Sequence, residues 1–261
     1  MNIVKRIICM ISLIVAFALL KNIEVQAAGT SFATATQINV NTDVTDNYSA
    51  KGESDYYKFT LSSPGYISVT FSHKMVESGI WTNKLYYEDQ SLIYEFNSKN
   101  YDASLTTCNI GLPAGTYYYR SESYYDSYSA EKYTFRINFN ASANWETEKN
   151  NTLLSADQIN VNEEYFGAIH EKGGRDWYKF SIPSTGYISI SFLHQMVEYG
   201  IWEISFYSEP DNKLIEIYSR NYDETKTSCN IGLPAGDYYI MISNDSYSSC
   251  SDVDYSLKIN Y

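Results

Sequence analysis

The chain predicts an all-β protein built from two tandem antiparallel β-sandwiches of jelly-roll type. Three observations lead there. First, Asp55 to Thr82 and Asp176 to Glu203 are identical at 17 of 28 positions, and Thr106 to Tyr118 and Thr227 to Tyr239 at 11 of 13, both at an offset of 121 residues. Stacking repeats run to about 20–50 residues, so this period is that of a domain able to fold alone. Second, short runs alternate apolar and polar residues, the signature of a half-buried strand. Third, Pro, Gly, Asn and Ser punctuate these runs at close intervals.

The elements follow in order. Lys5 and Arg6, the apolar stretch Ile7 to Leu20 and the small residues of Val25-Gln26-Ala27 read as a secretory signal peptide over residues 1–27, cut after Ala27. The apolar stretch is shorter than the ~20 residues needed to span a bilayer, so free extracellular protein, with no stable membrane insertion, is expected. The first sandwich occupies 28–139, a linker 140–150 and the second sandwich 151–261. Tyr57, Phe59 and Leu61 form one inward row, matched by Tyr178, Phe180 and Ile182. Ile67, Val69 and Phe71 form the next, matched by Ile188, Ile190 and Phe192. The closing strands carry Tyr133, Phe135 and Ile137, then Tyr255, Leu257 and Ile259. Ser63-Pro64-Gly65 and the two Leu-Pro-Ala-Gly segments at 112–115 and 233–236 supply turns. Lys74 to Glu77 suggests one helical turn. The linker is rich in Asn, Ser and Glu, yet Trp145 within it is expected to dock on a domain face.

Formal charge is −12, and loss of Lys5, Arg6, Lys21 and Glu24 with the signal moves it to −14. Such a chain repels nucleic acid and anionic membrane. Of the cysteines left after cleavage, Cys108 and Cys229 are equivalent and Cys250 belongs to the second copy alone. Cys229 and Cys250 are a candidate disulfide in an oxidising compartment, which would leave Cys108 unpaired, though sequence does not fix the geometry.

At Glu146-Thr147-Glu148-Lys149-Asn150-Asn151, Ala156 to Ile159, Asp176-Trp177-Tyr178-Lys179-Phe180, Gly186 and Gly236-Asp237-Tyr238-Tyr239, the second copy resembles the bacterial pre-peptidase C-terminal domain, a sandwich related to the collagen-binding domains of clostridial collagenases. The first copy carries Ala35 to Ile38, Asp55-Tyr56-Tyr57-Lys58-Phe59, Gly65 and Gly115-Thr116-Tyr117-Tyr118. The resemblance implies structural calcium at Glu146, Glu148, Asn150, Asn151 and Asp176, hard oxygen donors of the kind calcium takes. Gly173 stands where the family often has a further acid. In the first copy Ala27, Gly29 and Thr30 replace the leader, so calcium is expected in the second copy only.

No catalytic constellation is legible: the repeated His and Glu four apart do not match HExxH, and no GxSxG elbow occurs. No enzyme activity is expected. The segments 71–81 and 192–202 are closely copied. Trp81 and Trp202 are expected as core plugs, and His73, Glu77, His194 and Glu198 as an exposed ligand patch. The reading is a secreted, non-catalytic protein that recognises an extracellular protein, a host matrix or immunoglobulin-type molecule or a cell-surface protein. Glycan binding and an accessory role beside a separately encoded enzyme are the alternatives.

Overall fold

The structure, a computed structural model, describes residues 23–24, 27–74, 80–99, 103–123, 131–170, 173–194, 201–209, 212–220, 225–244 and 254–261. Most of the expected signal segment, the expected turn beyond Lys74, and Glu77, Glu198 and Cys250 lie outside them. No helix among the described residues is long and apolar enough to cross a membrane.

β1 (Ile23–Glu24), within the expected signal segment, pairs with the first copy, which contains β2 (Thr36–Gln37), β3 (Asp43–Asp46), β4 (Ser54–Leu61), β5 (Gly65–His73), β6 (Ile80–Tyr87), β7 (Leu92–Lys99), β8 (Ser104–Thr106), β9 (Ile110–Leu112), β10 (Gly115–Ser123) and β11 (Tyr133–Ala141). The second contains β12 (Asp157–Gln158), β13 (Glu164–Gly167), β14 (Arg175–Ile182), β15 (Gly186–His194), β16 (Ile201–Glu209), β17 (Asn212–Arg220), β18 (Thr225–Thr227), β19 (Ile231–Leu233), β20 (Gly236–Asn244) and β21 (Tyr255–Asn260). Each copy pairs two sheets. One runs β2-β4-β10-β6-β7 in the first copy and β12-β14-β20-β16-β17 in the second; the other runs β1-β3-β11-β5-β8 and β13-β21-β15-β18, with β9 and β19 also on β5 and β15. Pairing is antiparallel except at the short edges β1–β3, β2–β4 and β12–β14.

Alternation along the strands sorts side chains between core and surface, as the period of two requires. All three inward rows of each copy are buried, and Trp81 and Trp202 plug the cores. Each fully buried Phe, Ile or Val of these rows stabilises the fold by roughly 1.5–3 kcal/mol. The Leu-Pro-Ala-Gly turns are latched alike, Tyr117 and Tyr238 donating their hydroxyls to the carbonyls of Pro113 and Pro234 at 2.7 and 2.8 Å.

The two cores differ in chemistry at one layer. In the first copy the buried Asn83 accepts from Tyr119 and Ser121 at 2.6 and 2.9 Å, and Tyr48 bonds Ser121 at 2.8 Å. At the same offset the second copy has Ile169, Ile204, Ile240 and Ile242, all buried. Duplication kept the shape of the layer and exchanged polar for apolar side chains.

Trp145 is buried, its ring 4.1 Å from that of Tyr66 and 6.2 Å from that of Phe166. The segment between the copies is therefore packed against both rather than solvated.

Candidate functional site

The leader of the second copy runs along both copies through backbone hydrogen bonds. Phe166 N donates to Asn144 O and Glu146 N to Phe166 O, both at 2.8 Å, and Trp177 N donates to Asn150 O at 3.0 Å. Glu148 N reaches the first copy at Gly111 O, 3.1 Å away. Only glycine fits at 111, because a Cβ there would stand 2.0 Å from Glu146 O. The leader bends at Glu148, and Glu146, Glu148 and Asn150 are all buried.

Asp176, at the start of β14, completes a cluster with Glu146 and Glu148, with oxygens all within 4.8 Å of one another. Glu146 Oε1 accepts from Ala168 N at 2.9 Å and Oε2 from Asn150 Nδ2 at 3.0 Å. Tyr255 donates its hydroxyl to Asp176 Oδ2. His170 Nδ1 lies 2.6 Å from Glu148 Oε1, both side chains buried. Asp157 joins from β12, accepting from Thr147 N at 2.6 Å and Asn150 Nδ2 at 3.3 Å.

Burial, then the charge of Glu148, pushes Glu146 up to about 8. Asp176 is held well above the carboxylate range by burial and by Glu146 and Glu148, and burial lifts Asp157 to about 6. Like charges taken out of water disfavour ionisation, so the cluster binds protons or a cation. The residues fit a hard divalent ion. All the acidic donors are oxygens, and the fully buried Asn150 has its Oδ1 without a hydrogen-bond partner, an acceptor a cation can satisfy. Calcium takes 6–8 oxygens, so water would complete such a shell.

Of the five residues expected to hold the ion, Glu146, Glu148, Asn150 and Asp176 come together. Asn151 is placed otherwise: its Oδ1 accepts from Arg175 N at 3.1 Å and pins the leader to β14. Asp157 and His170 were missed. Both are residues that the second copy has where the first has Thr36 and Ser49, the same asymmetry that marks the acidic leader.

The expected exposed patch needs correction. His73 and His194 are buried, because they close the inward rows of β5 and β15. Their Nε2 atoms bond Ser98 Oγ at 2.8 Å and Ser219 Oγ at 2.7 Å, and their rings lie 3.8 and 5.6 Å from those of Trp81 and Trp202. A His–Ser pair repeated in both copies resembles a catalytic dyad, but both serines are fully buried and out of reach of a substrate. Cys229 is exposed with a free thiol and Cys108 is buried.

The outer faces of the β4-β10-β6 and β14-β20-β16 sheets carry equivalent aromatic residues. Tyr118 faces Tyr86 across β10–β6, and Tyr239 faces Tyr207 across β20–β16. Tyr56 and Trp177 stand beside them on β4 and β14, and Lys58 and Lys179 are the cross-strand partners of Tyr118 and Tyr239. Phe32 packs edge-on against Tyr56, Tyr86 and Tyr118 with ring centroids 5.0–5.2 Å apart.

No family model and no curated protein matches the chain. Among solved structures, the pre-peptidase C-terminal domain of a Bacillus anthracis collagenase aligns with 39% of this chain and 92% of its own, at 18% identity and a TM-score of 0.33. A family 35 carbohydrate-binding module from an environmental isolate covers 47% of this chain and 88% of its own, at 14% identity and a TM-score of 0.28. The tandem CBM22-1–CBM22-2 domains of Paenibacillus barcinonensis Xyn10C cover 82% and 92%, at 8% identity and a TM-score of 0.26. The chain is thus a duplicated two-domain β-sandwich protein with a distant, partial match to a pre-peptidase C-terminal domain.

Proposed function

We propose that the chain is exported, cut after Ala27, and acts as a non-catalytic binding protein that engages an extracellular protein through both copies. The observation that carries this reading is the repeated aromatic face. The outward sides of the strands hold a half-buried cross-strand tyrosine pair and a lysine in register in both sandwiches, beside the half-buried Tyr56 in the first copy and the buried Trp177 in the second. Such rings give large contact area at low entropy cost. Two modest sites on one chain gain apparent affinity when both reach their target together. Calcium at Glu146, Glu148, Asn150 and Asp176 braces the second copy and, through Glu148 and Gly111, its seat on the first.

The test is capture from a panel of extracellular matrix, immunoglobulin-type and cell-surface proteins beside a glycan array. Ligands found are then titrated against Tyr86→Ala/Tyr118→Ala, Tyr207→Ala/Tyr239→Ala and the combined variant. Each pair should weaken binding about 10-fold or more, a loss of ~1.4 kcal/mol, and the combination should abolish avidity. Capture of glycans alone moves the function to carbohydrate recognition. Unchanged affinity in all three variants removes the aromatic faces from it.

A further inference from the structure

The first copy lacks the acidic leader but has the buried acid, and it carries a second, half-buried one, Asp46. Asp55, equivalent to Asp176, accepts from Tyr133 Oη at 2.6 Å; Tyr133 and Tyr57 hydroxyls are 3.0 Å apart; and Tyr57 donates to Asp46 Oδ2 at 2.9 Å. The residue equivalent to Asp46 in the second copy is Gly167, where a Cβ would lie 2.5 Å from Tyr255 Oη. The two copies therefore place their second carboxylate differently: the leader supplies it in one, β3 in the other. Among the described residues no lysine or arginine forms an ion pair with Asp46 or Asp55. Two carboxyl groups are thus joined through two tyrosine hydroxyls, with no basic side chain paired to either among the described residues.

What does reach Asp46 is the backbone nitrogen of Ala28, 3.2 Å from Oδ2. Its place is fixed by the next residue. Gly29 exchanges hydrogen bonds with Tyr56, 3.2 Å from its nitrogen and 2.9 Å to its carbonyl, and a Cβ on Gly29 would stand 2.1 Å from Thr34 O. Ala28 itself packs partly buried on the core. The nitrogen held against the carboxylate is thus the one that becomes the chain terminus if the signal is cut after Ala27.

We propose that Asp46 is a binding site for the chain's own processed N-terminus. Hydrolysis of the Ala27–Ala28 bond by the signal peptidase takes up one water, leaves Ala27 with a carboxylate, and turns the Ala28 amide into a primary amine, protonated at neutral pH. The ammonium then pairs with Asp46 and supplies the first copy with the cation that the second takes from solution. The groups facing it are Asp46 of β3, Asp55 and Tyr57 of β4, Tyr133 of β11, and Glu53 in the loop before β4, whose charge acts on Asp55. An ammonium whose acidity is lowered by a carboxylate partner stabilises the fold below its free value near 7.7–8.0 and loses that contribution as pH rises through its folded value. This inference rests on the proposed cut after Ala27, and the test separates the two.

The test compares the chain beginning at Ala28, released from a cleavable fusion partner, with the chain that keeps Ala27, each with and without Asp46→Asn. Retaining Ala27 replaces the ammonium by an amide while restoring the bond from Thr36 Oγ1 to Ala27 O, 2.8 Å long. At pH 7 it is expected to lower the melting temperature of the first copy by roughly 5 °C, and to cause no loss, or the small gain of the Thr36–Ala27 bond, when Asp46→Asn is present. An equal shift in both backgrounds, or none in either, overturns the proposal. Acylation of the Ala28 amine at pH 7–8 gives a readout that does not require Asp46→Asn to fold. The native chain is expected to react at least 10-fold more slowly than the unfolded chain, and equal rates overturn the pocket. Terminal sequencing of the exported protein should begin at Ala28; any other start overturns the processing step, while the comparison of the two chains still judges the pocket.

Discussion

Glu148 carries both halves of the link between the copies: its side chain meets His170 Nδ1 at 2.6 Å, and its backbone N–H donates to Gly111 O of the first copy at 3.1 Å. His170 in turn presents its ring to Tyr94 of the first copy, centroids 6.0 Å apart. Lys149, next along the leader, places Nζ 4.3 Å from the ring of Tyr87 and 2.9 Å from Ser91 Oγ. The acidic cluster therefore sits where the leader crosses from one sandwich to the other, and what fills it bears on both.

Asp55 gives the first copy a pH dependence of definite sign. Burial, aided by the charges of Asp46 and Glu53, raises it from 3.8 to about 7. In the chain that keeps Ala27, the folded state then holds the extra proton across that window, and stability falls as pH rises from about 4 to 7. Asp55→Asn should flatten the slope, its amide oxygen still accepting from Tyr133. Melting of the first copy from pH 4 to 8 measures it, and an unchanged slope would count against a protonated Asp55.

His194→Ala should destabilise the second copy by about 2–4 kcal/mol, since it opens a cavity beside Trp202 and removes the imidazole's bond to Ser219. Ligand affinity of the folded remainder should not change. Denaturant titration alongside a binding isotherm checks both halves; a lost affinity with intact stability would return the histidine to the ligand face.

Asn83→Ile writes the second copy's residue into the first copy's polar layer. It leaves the Tyr119 hydroxyl without its acceptor, while Ser121 keeps its bond to Tyr48; a buried group so orphaned costs about 1–3 kcal/mol. The first copy should lose ~1–3 kcal/mol, measured by denaturant unfolding, although the substitution is apolar and the equivalent Ile204 is tolerated.

The parts of this fold that local pattern controls were legible in the sequence. Alternation in 66–71 and 187–192 places Ile67, Val69 and Phe71 and their equivalents in the core, and Pro and Gly set the turns, because burial and turn geometry act over a few residues. The same alternation, carried one step further, puts His73 and His194 inside; similarity between copies had suggested a surface role, whereas shared packing on Trp81 and Trp202 explains it. Glu146, Glu148 and Asp176 were legible as donors, but their depth was not. Tyr255 and Ala168 of the same copy and Gly111 of the other meet these residues, contacts between residues far apart in sequence. Asp157 and His170 carry no motif; the β12–β14 pairing brings in Asp157, and His170 follows β13. The polar layer around Asn83 was hidden for a related reason: Tyr alternates as well as Ile does, and only the packed core reveals where its hydroxyl goes.

The central claim is an uneven duplication, two like scaffolds of which only the second takes a metal ion from solution. Scanning calorimetry of the chain from Ala28, with calcium and with chelator, tests it most directly, the two transitions assigned through His194→Ala and Asn83→Ile. At 100-fold excess over its dissociation constant, calcium should stabilise the second copy by about 2.7 kcal/mol, on the order of 10 °C, with Glu148→Gln abolishing the shift and the first copy's own transition responding little. A calcium shift of the first copy alone, or no shift of either transition, would contradict the account.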